Sequence, residues 1–191
     1  GLWSTYIEPE DMSMGSVFGD ILSSVTIVKD QNGSVYWPEY NLNSIGDLQN
    51  GDGYQIKMNS AAVLSVTGSL VPSEFNINFD VGWGILGYLP LTCNNTADMM
   101  IPIVDQMVIM KDEDGAVYWP EFGLNSIGNM CPGKAYQIKM NNYAVFNYPS
   151  NGRFEMSTLY SNQNIYYDHS INTGNNMTIG FPITSWAVLP S

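Results

Sequence analysis

The sequence predicts a mainly β protein of the α+β kind, built from two tandem pseudo-symmetric β-rich units, each with one short helix, and a β-rich C-terminal segment. Three observations support this fold class. The chain carries 12 tyrosines and 13% aromatic residues, which favour strands. Gly- and Asn-containing turns interrupt its short apolar runs. A long stretch recurs with constant spacing. With 191 residues, 45% of them apolar, the chain can bury a sizeable core.

The repeat is the strongest signal in the sequence. Residues 25–58 align without a gap to residues 107–140, and about twenty of these thirty-four positions are identical. We therefore expect unit 1 at residues 1–72, unit 2 at residues 73–150 and a separate segment at residues 151–191. That segment is predicted either to begin a truncated third module or to pack on unit 2 as an extra layer.

The same offset extends towards the start of the chain, where it pairs Gly1 with Trp83. Unit 1 is therefore expected to lack its opening strand, which unit 2 would form from residues 74–79. The two units are expected to pack side by side, with a strand exchanged at their border.

The elements of each unit follow from turn and breaker residues. Asn32-Gly33 and Asp114-Gly115, between apolar runs, are typical of hairpin turns. Pro102 weakens the helix predicted in unit 2, because proline removes a helical hydrogen bond. The predicted elements are a strand at 84–91, helices at 13–22 and 97–104, hairpin arms at 25–29 and 34–37, strands at 54–58 and 62–66, a closing stretch at 63–71, and C-terminal strands at 158–167 and 177–181.

Charge narrows the range of partners. The formal net charge is −12, with six basic residues, so the surface repels phosphate backbones and anionic lipid. We expect no nucleic-acid partner. No run of 18 apolar residues occurs, and no membrane insertion is expected. No cofactor is predicted.

Several motifs together resemble a repeated β-rich module of large secreted or surface multidomain bacterial proteins. They are Gly82-Trp83, Lys-Asp-x-x-Gly-x-Val-Tyr-Trp-Pro, Asn-Ser-Ile-Gly and Gly-x-x-Tyr-Gln-Ile-Lys, and all but the first occur twice. The resemblance covers residues 1–150 and, weakly, the C-terminal segment. It implies an extracellular or cell-surface location and neighbouring modules as partners. It implies no catalytic residues.

The repeated Tyr-Trp-Pro motif supplies the candidate ligand-binding residues Tyr36, Trp37, Tyr118 and Trp119. Flat aromatic faces suit the CH groups of sugar rings, so these residues could form a platform for a glycan. The alternative, which we favour, is that strand alternation buries one ring of each Tyr–Trp pair in the core.

Asp112 and Asp114 begin a segment that resembles the start of a calcium-binding loop. An EF-hand needs a bidentate glutamate at its twelfth position, where the two repeats hold Asn41 and Gly123. A hairpin turn is the favoured interpretation, and a looser calcium site at Asp112 and Asp114 is the alternative.

Cys93 and Cys131 both belong to unit 2, and unit 1 holds Asp11 and Gln49 at the corresponding positions. One disulfide is possible, with two free thiols as the alternative. In an oxidising compartment such a bond would add about 3 kcal/mol.

The remaining candidates have structural interpretations that we favour. Lys29, Lys57, Lys111 and Lys139 could line a charged groove or protect sheet edges. Glu39 and Glu121 could form a carboxylate pair as in glycoside hydrolases, but the position of each within a repeated motif favours a structural role. His169 stands beside Asp168 and Ser170, and three neighbours in sequence do not make a triad.

We therefore expect a non-catalytic structural, adhesive or interaction module of a secreted or cell-surface protein. The alternative is a carbohydrate-binding module that uses tyrosine and tryptophan faces, with a glycan as partner. An uncharacterised hydrolase is the least favoured hypothesis.

Overall fold

A computed structural model describes residues 1–72 and 75–149 in full, and beyond them the backbone of three short strands. The fold is mainly β, with several sheets and a few short helices, which confirms the predicted fold class. None of the described helices is long and apolar enough to cross a membrane.

Unit 1 contains seven strands, one α-helix and two 3-10 turns. The strands are β1 Leu2–Trp3, β2 Ile7–Pro9, β3 Val25–Lys29, β4 Val35–Trp37, β5 Leu42–Asn43, β6 Tyr54–Met58 and β7 Ala62–Leu70. The helical elements are α1 Met14–Val17, a 3-10 helix Gly19–Ser24 and a 3-10 turn Pro38–Tyr40.

Unit 2 contains nine described strands and the equivalent helical elements, and three more strands follow it. The strands of unit 2 are β8 Ile77–Phe79, β9 Gly82–Gly87, β10 Asn94–Asn95, β11 Met107–Lys111, β12 Val117–Trp119, β13 Leu124–Asn125, β14 Asn129–Met130, β15 Ala135–Met140 and β16 Ala144–Phe146. The helical elements are α2 Thr96–Met100 and the 3-10 segments Ile101–Ile103 and Pro120–Phe122. The last strands are β17 Tyr166–Tyr167, β18 Ser170–Ile171 and β19 Asn176–Phe181.

Each unit is built on a five-stranded antiparallel sheet. The strand order is β1-β6-β3-β4-β5 in unit 1 and β9-β15-β11-β12-β13 in unit 2, so equivalent strands occupy equivalent places. The predicted hairpins are present, and their turns contain Gly33 (φ 84°) and Gly115 (φ 87°). Glycine suits these positions because L side chains rarely adopt a left-handed backbone.

The predicted helices are shorter than expected and change type. In unit 1 the α-helix covers Met14–Val17, capped by the Ser13 hydroxyl, and a 3-10 helix continues from Gly19. In unit 2 the α-helix stops at Met100, just before the 3-10 segment that contains Pro102. A proline that cannot donate a hydrogen bond explains the change in unit 2.

Strands β1 and β9 occupy equivalent edges of the two sheets, and we call them the opening strands in place of the predicted stretch 74–79. Their pairing corrects the predicted alignment of the two units by one residue. In β1, Leu2 pairs with Gln55, and in β9, Ile85 pairs with Gln137. Because Gln55 and Gln137 are equivalent, Leu2 corresponds to Ile85 and Gly1 to Gly84. The predicted match of Gly1 with Trp83 is therefore wrong, since hydrogen bonding to the neighbouring strand sets the register.

Each opening strand continues from its own sheet to the other unit. The amide of Gly87 donates to the carbonyl of Gly51 (2.8 Å), and the amide of Ser4 donates to the carbonyl of Gly133 (3.2 Å). A Cβ atom on Gly87 would lie 2.6 Å from the carbonyl oxygen of Asp52, so this close approach requires glycine. We call this border between the two units, where Gly87 contacts Gly51 and Ser4 contacts Gly133, the seam.

The C-terminal segment pairs with unit 1. Strand β19 lies antiparallel to β7, where Phe181 pairs with Ala62, and β2 pairs with the other end of β7. In unit 2, β8 takes the equivalent place on β16, where Phe79 pairs with Ala144. The prediction that this segment packs on unit 2 is wrong for β19, because the exposed edge of β7 offers it a ladder of backbone partners. Of the predicted strand at 158–167, residues 158–165 lie outside the described residues.

One continuous hydrophobic core joins the two units. Trp3, Phe18 and Tyr54 of unit 1 belong to the same cluster of buried side chains as Tyr88 and Tyr136 of unit 2. The units therefore share one interior and are not separate globules joined by a linker.

Candidate functional site

Tyr36 and Tyr118, two of the four predicted sugar-binding aromatics, lie in the core. Their side chains are 8% and 7% exposed, and the ring of Tyr36 stacks on Phe18 with centroids 6.4 Å apart. Burial raises the pKa of both phenols. A sugar platform needs open ring faces, so the predicted platform of four residues does not form.

Trp37 and Trp119, the other two predicted aromatics, are partly buried. Each ring meets a neighbour edge-on, with Tyr40 at 4.7 Å from Trp37 and Phe122 at 4.6 Å from Trp119. Tyr40 and Phe122 are 65% and 66% exposed, so the exposed aromatic surface here belongs mainly to these partners. The tryptophans support a turn at the end of the hairpin.

The acidic turn residues hold the hairpins. In unit 2 one carboxylate oxygen of Asp112 accepts from the amides of Asp114 (3.0 Å) and Ala116 (2.8 Å), and Asp30 makes the equivalent bonds in unit 1. Nowhere in the described chain do three or more His, Cys, Asp or Glu side chains converge on a position for a metal ion. The geometry of Asp112 matches a hairpin turn.

The repeated Asn-Ser-Ile-Gly loops use their polar side chains within the unit. The hydroxyl of Ser44 accepts from the amide of Val35 (2.8 Å) and donates to its carbonyl (3.2 Å). Ser126 makes the same two bonds to Val117. These residues recur because they tie a loop to the second hairpin strand.

The two cysteines form a disulfide, Cys93–Cys131, between positions 38 residues apart. The bond links the loop before β10 to the loop before β15. The amide of Cys131 donates to the hydroxyl of Tyr136 (3.0 Å), as the amide of Gln49 does to Tyr54 in unit 1 (2.8 Å). The disulfide therefore adds to a loop anchor that both units possess.

The carboxylates considered for catalysis are not brought into a cleft. Glu39 and Glu121 are exposed on the 3-10 turns Pro38–Tyr40 and Pro120–Phe122, and neither lines the clefts described below. His169 lies outside the described residues.

Two open clefts lie along the seam, and Gln55 and Gln137 line both of them. The first, of about 400 Å³, includes Leu2, Lys29, Lys57 and Glu113, and we call it the Leu2 cleft. The second, of about 310 Å³, we call the Trp83 cleft. Its lining residues include Asp30, Gln31, Gln55, Trp83, Ile85 and Gln137.

Equivalent residues of the two units build the two clefts. In the Trp83 cleft, the side-chain oxygen of Gln31 accepts from the amide of Ile85 (3.1 Å). In the Leu2 cleft, the equivalent Glu113 accepts from the amide of Leu2 (3.2 Å). Each hairpin turn thus binds the opening strand of the other unit, and the seam has approximate two-fold symmetry.

The two clefts differ in their charged residues, so the symmetry of the seam is not exact. Glu113 is 6% exposed in its side chain and lies 3.6 Å from the ammonium of Lys134. Burial raises the pKa of Glu113, while the Leu2 amide and Lys134 act against that rise. Unit 1 has Gln31 and Asp52 at the corresponding positions. The Trp83 cleft therefore lacks the ion pair and is more acidic.

Trp83 is the large aromatic side chain of its cleft, and it is 52% exposed. The ammonium groups of Lys111 and Lys139 lie 5.3 Å and 5.9 Å from the centre of its ring. These distances allow cation–π attraction, which holds the indole against the sheet. Two of the four lysines considered for a charged groove thus support an aromatic side chain.

Asp52 makes stability depend on pH. Burial, and next the charge of Asp30, raise its pKa from 3.8 to about 6. Folding thus favours the protonated carboxyl, so the free energy of unfolding should fall as pH rises from about 4 to about 6 and then level off. Asp52→Asn should reduce this slope, to which the raised pKa of Glu113 also contributes, and stabilise the protein by about 1 kcal/mol at neutral pH, after allowance for solvent screening.

Urea unfolding at a series of pH values measures this effect. Asp47→Asn, at an exposed position of the same loop, is the control and should keep the slope. The raised pKa of Asp52 would be contradicted if the free energy of unfolding of the wild type rose between pH 4 and 6 and that of Asp52→Asn rose in the same way.

Sequence reasoning missed the Trp83 cleft. The outward orientation of Gln55 and Gln137 follows from strand alternation, but their convergence needs the register across the seam. Comparison of the chain with protein-family models, curated proteins and solved structures finds no match. Function must therefore be argued from the residues of the chain itself.

Proposed function

We propose that the chain is a non-catalytic structural module of a secreted or cell-surface protein. The main support is what the repeated residues do: the tyrosines fill the core, the serines tie loops to strands, and the aspartates close hairpins. Residues kept in both units for these tasks build the fold.

The seam supports the same proposal. The two units are joined by their opening strands, by the contact of each hairpin turn with the other unit, and by a shared core. We therefore expect them to behave as one rigid, cooperative body. Such a body suits a spacer or an adhesive stalk between neighbouring modules. The disulfide is compatible with an oxidising, extracellular compartment.

Calorimetry tests whether the units act together. We expect one unfolding transition for the oxidised chain, with equal calorimetric and van't Hoff enthalpies. Glu113→Ala should lower the free energy of unfolding by about 1–3 kcal/mol, because it leaves the Leu2 amide without its acceptor and removes the ion pair of Glu113 with Lys134. The midpoint should fall while the transition stays single.

Glu121→Ala is the matched control, since Glu121 is exposed on a turn of the same unit. It should change stability by less than about 0.5 kcal/mol. Two separate transitions in the wild type would overturn the proposal of one body. A second result would overturn the non-catalytic part of the proposal. It is hydrolysis of glycoside or ester substrates that copurifies with the protein and is lost in the Asp52→Asn variant.

A further inference from the structure

The Trp83 cleft combines an exposed aromatic ring with polar side chains from both units. The ammonium groups of Lys111 and Lys139 lie within cation–π distance of the Trp83 ring, which restrains its orientation. An exposed indole offers a large apolar face, and covering it releases water at little cost in conformational entropy. The CH face of a pyranose ring is a surface of matching size and character.

The polar groups of the cleft suit hydroxyl groups. The side-chain amides of Gln55 and Gln137 have no hydrogen-bond partner among the described residues, and they come from the equivalent strands β6 and β15 of the two units. Each amide offers donors and an acceptor, a combination that matches neighbouring hydroxyls of a sugar. The carboxylate of Asp30 adds a further acceptor.

The charge of the cleft favours a neutral ligand. Asp30 lines it, and Asp52 lies close enough to Asp30 to interact with its charge. The chain as a whole carries −12. Close to the Trp83 ring the ammonium groups of Lys111 and Lys139 offset these carboxylates, so the repulsion of an anionic ligand comes from the net charge of the whole surface. Hydroxyl groups of a neutral ligand can donate to the carboxylates.

We propose that the Trp83 cleft binds a neutral saccharide, with one pyranose ring stacked on Trp83 and its hydroxyls bonded by Gln55 and Gln137. This binding goes beyond the structural function proposed above. The Leu2 cleft contains the same two glutamines, and its lining includes the charged residues Lys29, Lys57 and Glu113 instead of an aromatic ring.

Affinity electrophoresis of the oxidised full chain tests the proposal. Native gels would contain laminarin, xylan, galactomannan or starch as neutral polymers, and alginate or polygalacturonate as acidic ones. We expect at least one neutral polymer to retard the protein and the acidic polymers to leave its mobility unchanged. Oligosaccharides of the retarding polymer then give the affinity by titration calorimetry.

Variants locate the site. Trp83→Ala should weaken binding at least about tenfold, and Gln137→Ala about threefold to tenfold. Trp83→Tyr, which keeps a ring, should retain part of the affinity. The control is Phe122→Ala, which removes a ring that is 66% exposed outside the cleft and should change affinity less than about twofold. Affinity should also change little between about 0.05 and 0.5 M NaCl, because no ion pair is formed.

Several results would overturn the proposal. They are no retardation by any neutral polymer, unchanged affinity in Trp83→Ala with the fold intact by circular dichroism, loss of affinity in Phe122→Ala instead, or salt-sensitive binding of an acidic polymer. None of these bears on the calorimetric test of the structural function, so the two proposals fail separately.

Discussion

Replacing Trp3 by alanine is expected to lower the free energy of unfolding by about 3–5 kcal/mol, the largest effect of any single substitution considered. Trp3 is 0% exposed, and its ring lies 5.2 Å from Phe18 and 6.1 Å from Tyr54. Alanine would leave a cavity where the opening strand enters the shared core. The Trp3 indole nitrogen is buried without a hydrogen-bond partner among the described residues, which moves the expected cost towards the lower end of the range.

Urea unfolding followed by tyrosine and tryptophan fluorescence measures this loss. Trp83→Ala is the matched control, because it removes the same side chain from a position that is 52% exposed, and it should cost less than about 1 kcal/mol. Equal losses at the two positions would contradict the burial of Trp3.

Removing the disulfide is expected to cost about 3–4 kcal/mol. Its two cysteines are 38 residues apart, and the entropy of closing a loop of this length in the unfolded chain accounts for most of the effect. The double variant Cys93→Ala, Cys131→Ala should unfold at a lower urea concentration than the wild type. Reduction of the wild type should give the same shift.

A reducing agent provides the control, since it should have no effect on the double variant. The anchor between the Cys131 amide and the Tyr136 hydroxyl remains after reduction, so the loop should keep its position and the fold should persist. A reduced protein as stable as the oxidised one would contradict this prediction.

The hairpins could be predicted because their signals are local. Asn32-Gly33 and Asp114-Gly115 favour tight turns, and the flanking runs alternate in polarity. The helices were harder to predict, because α- and 3-10 helices share their apolar pattern and differ in the hydrogen bonds of a few residues. Gly19 and Pro102 mark the positions near which the helix type changes.

The register of the opening strands was beyond sequence alignment. The first nine residues of the chain share few residue types with the segment that follows Trp83. Residue identities in this region therefore could not reveal that the spacing of the repeat changes by one residue. Pairing of Leu2 with Gln55 depends on backbone contacts with a strand more than fifty residues away. Such nonlocal pairing leaves little trace in the local pattern.

The candidate site shows why repetition was a misleading guide to binding. Tyr36 and Tyr118 were chosen because they recur, and both are buried in the core, where each unit needs them in order to fold. Trp83 lies outside the aligned stretch of residues 107–140, so a search among recurring residues does not select it. A site at the seam depends on groups from both units, and its location follows from their packing.

The pairing of β19 with β7 has a consequence for synthesis on the ribosome. Phe181 must reach Ala62, more than a hundred residues earlier in the chain. Until it does, a growing polypeptide presents the nine-residue strand β7 with an open edge along Ala62–Thr67, a template for pairing with other nascent chains. Unit 1 therefore completes its last sheet late, and protection of this edge by a chaperone would favour a high yield of correctly assembled protein.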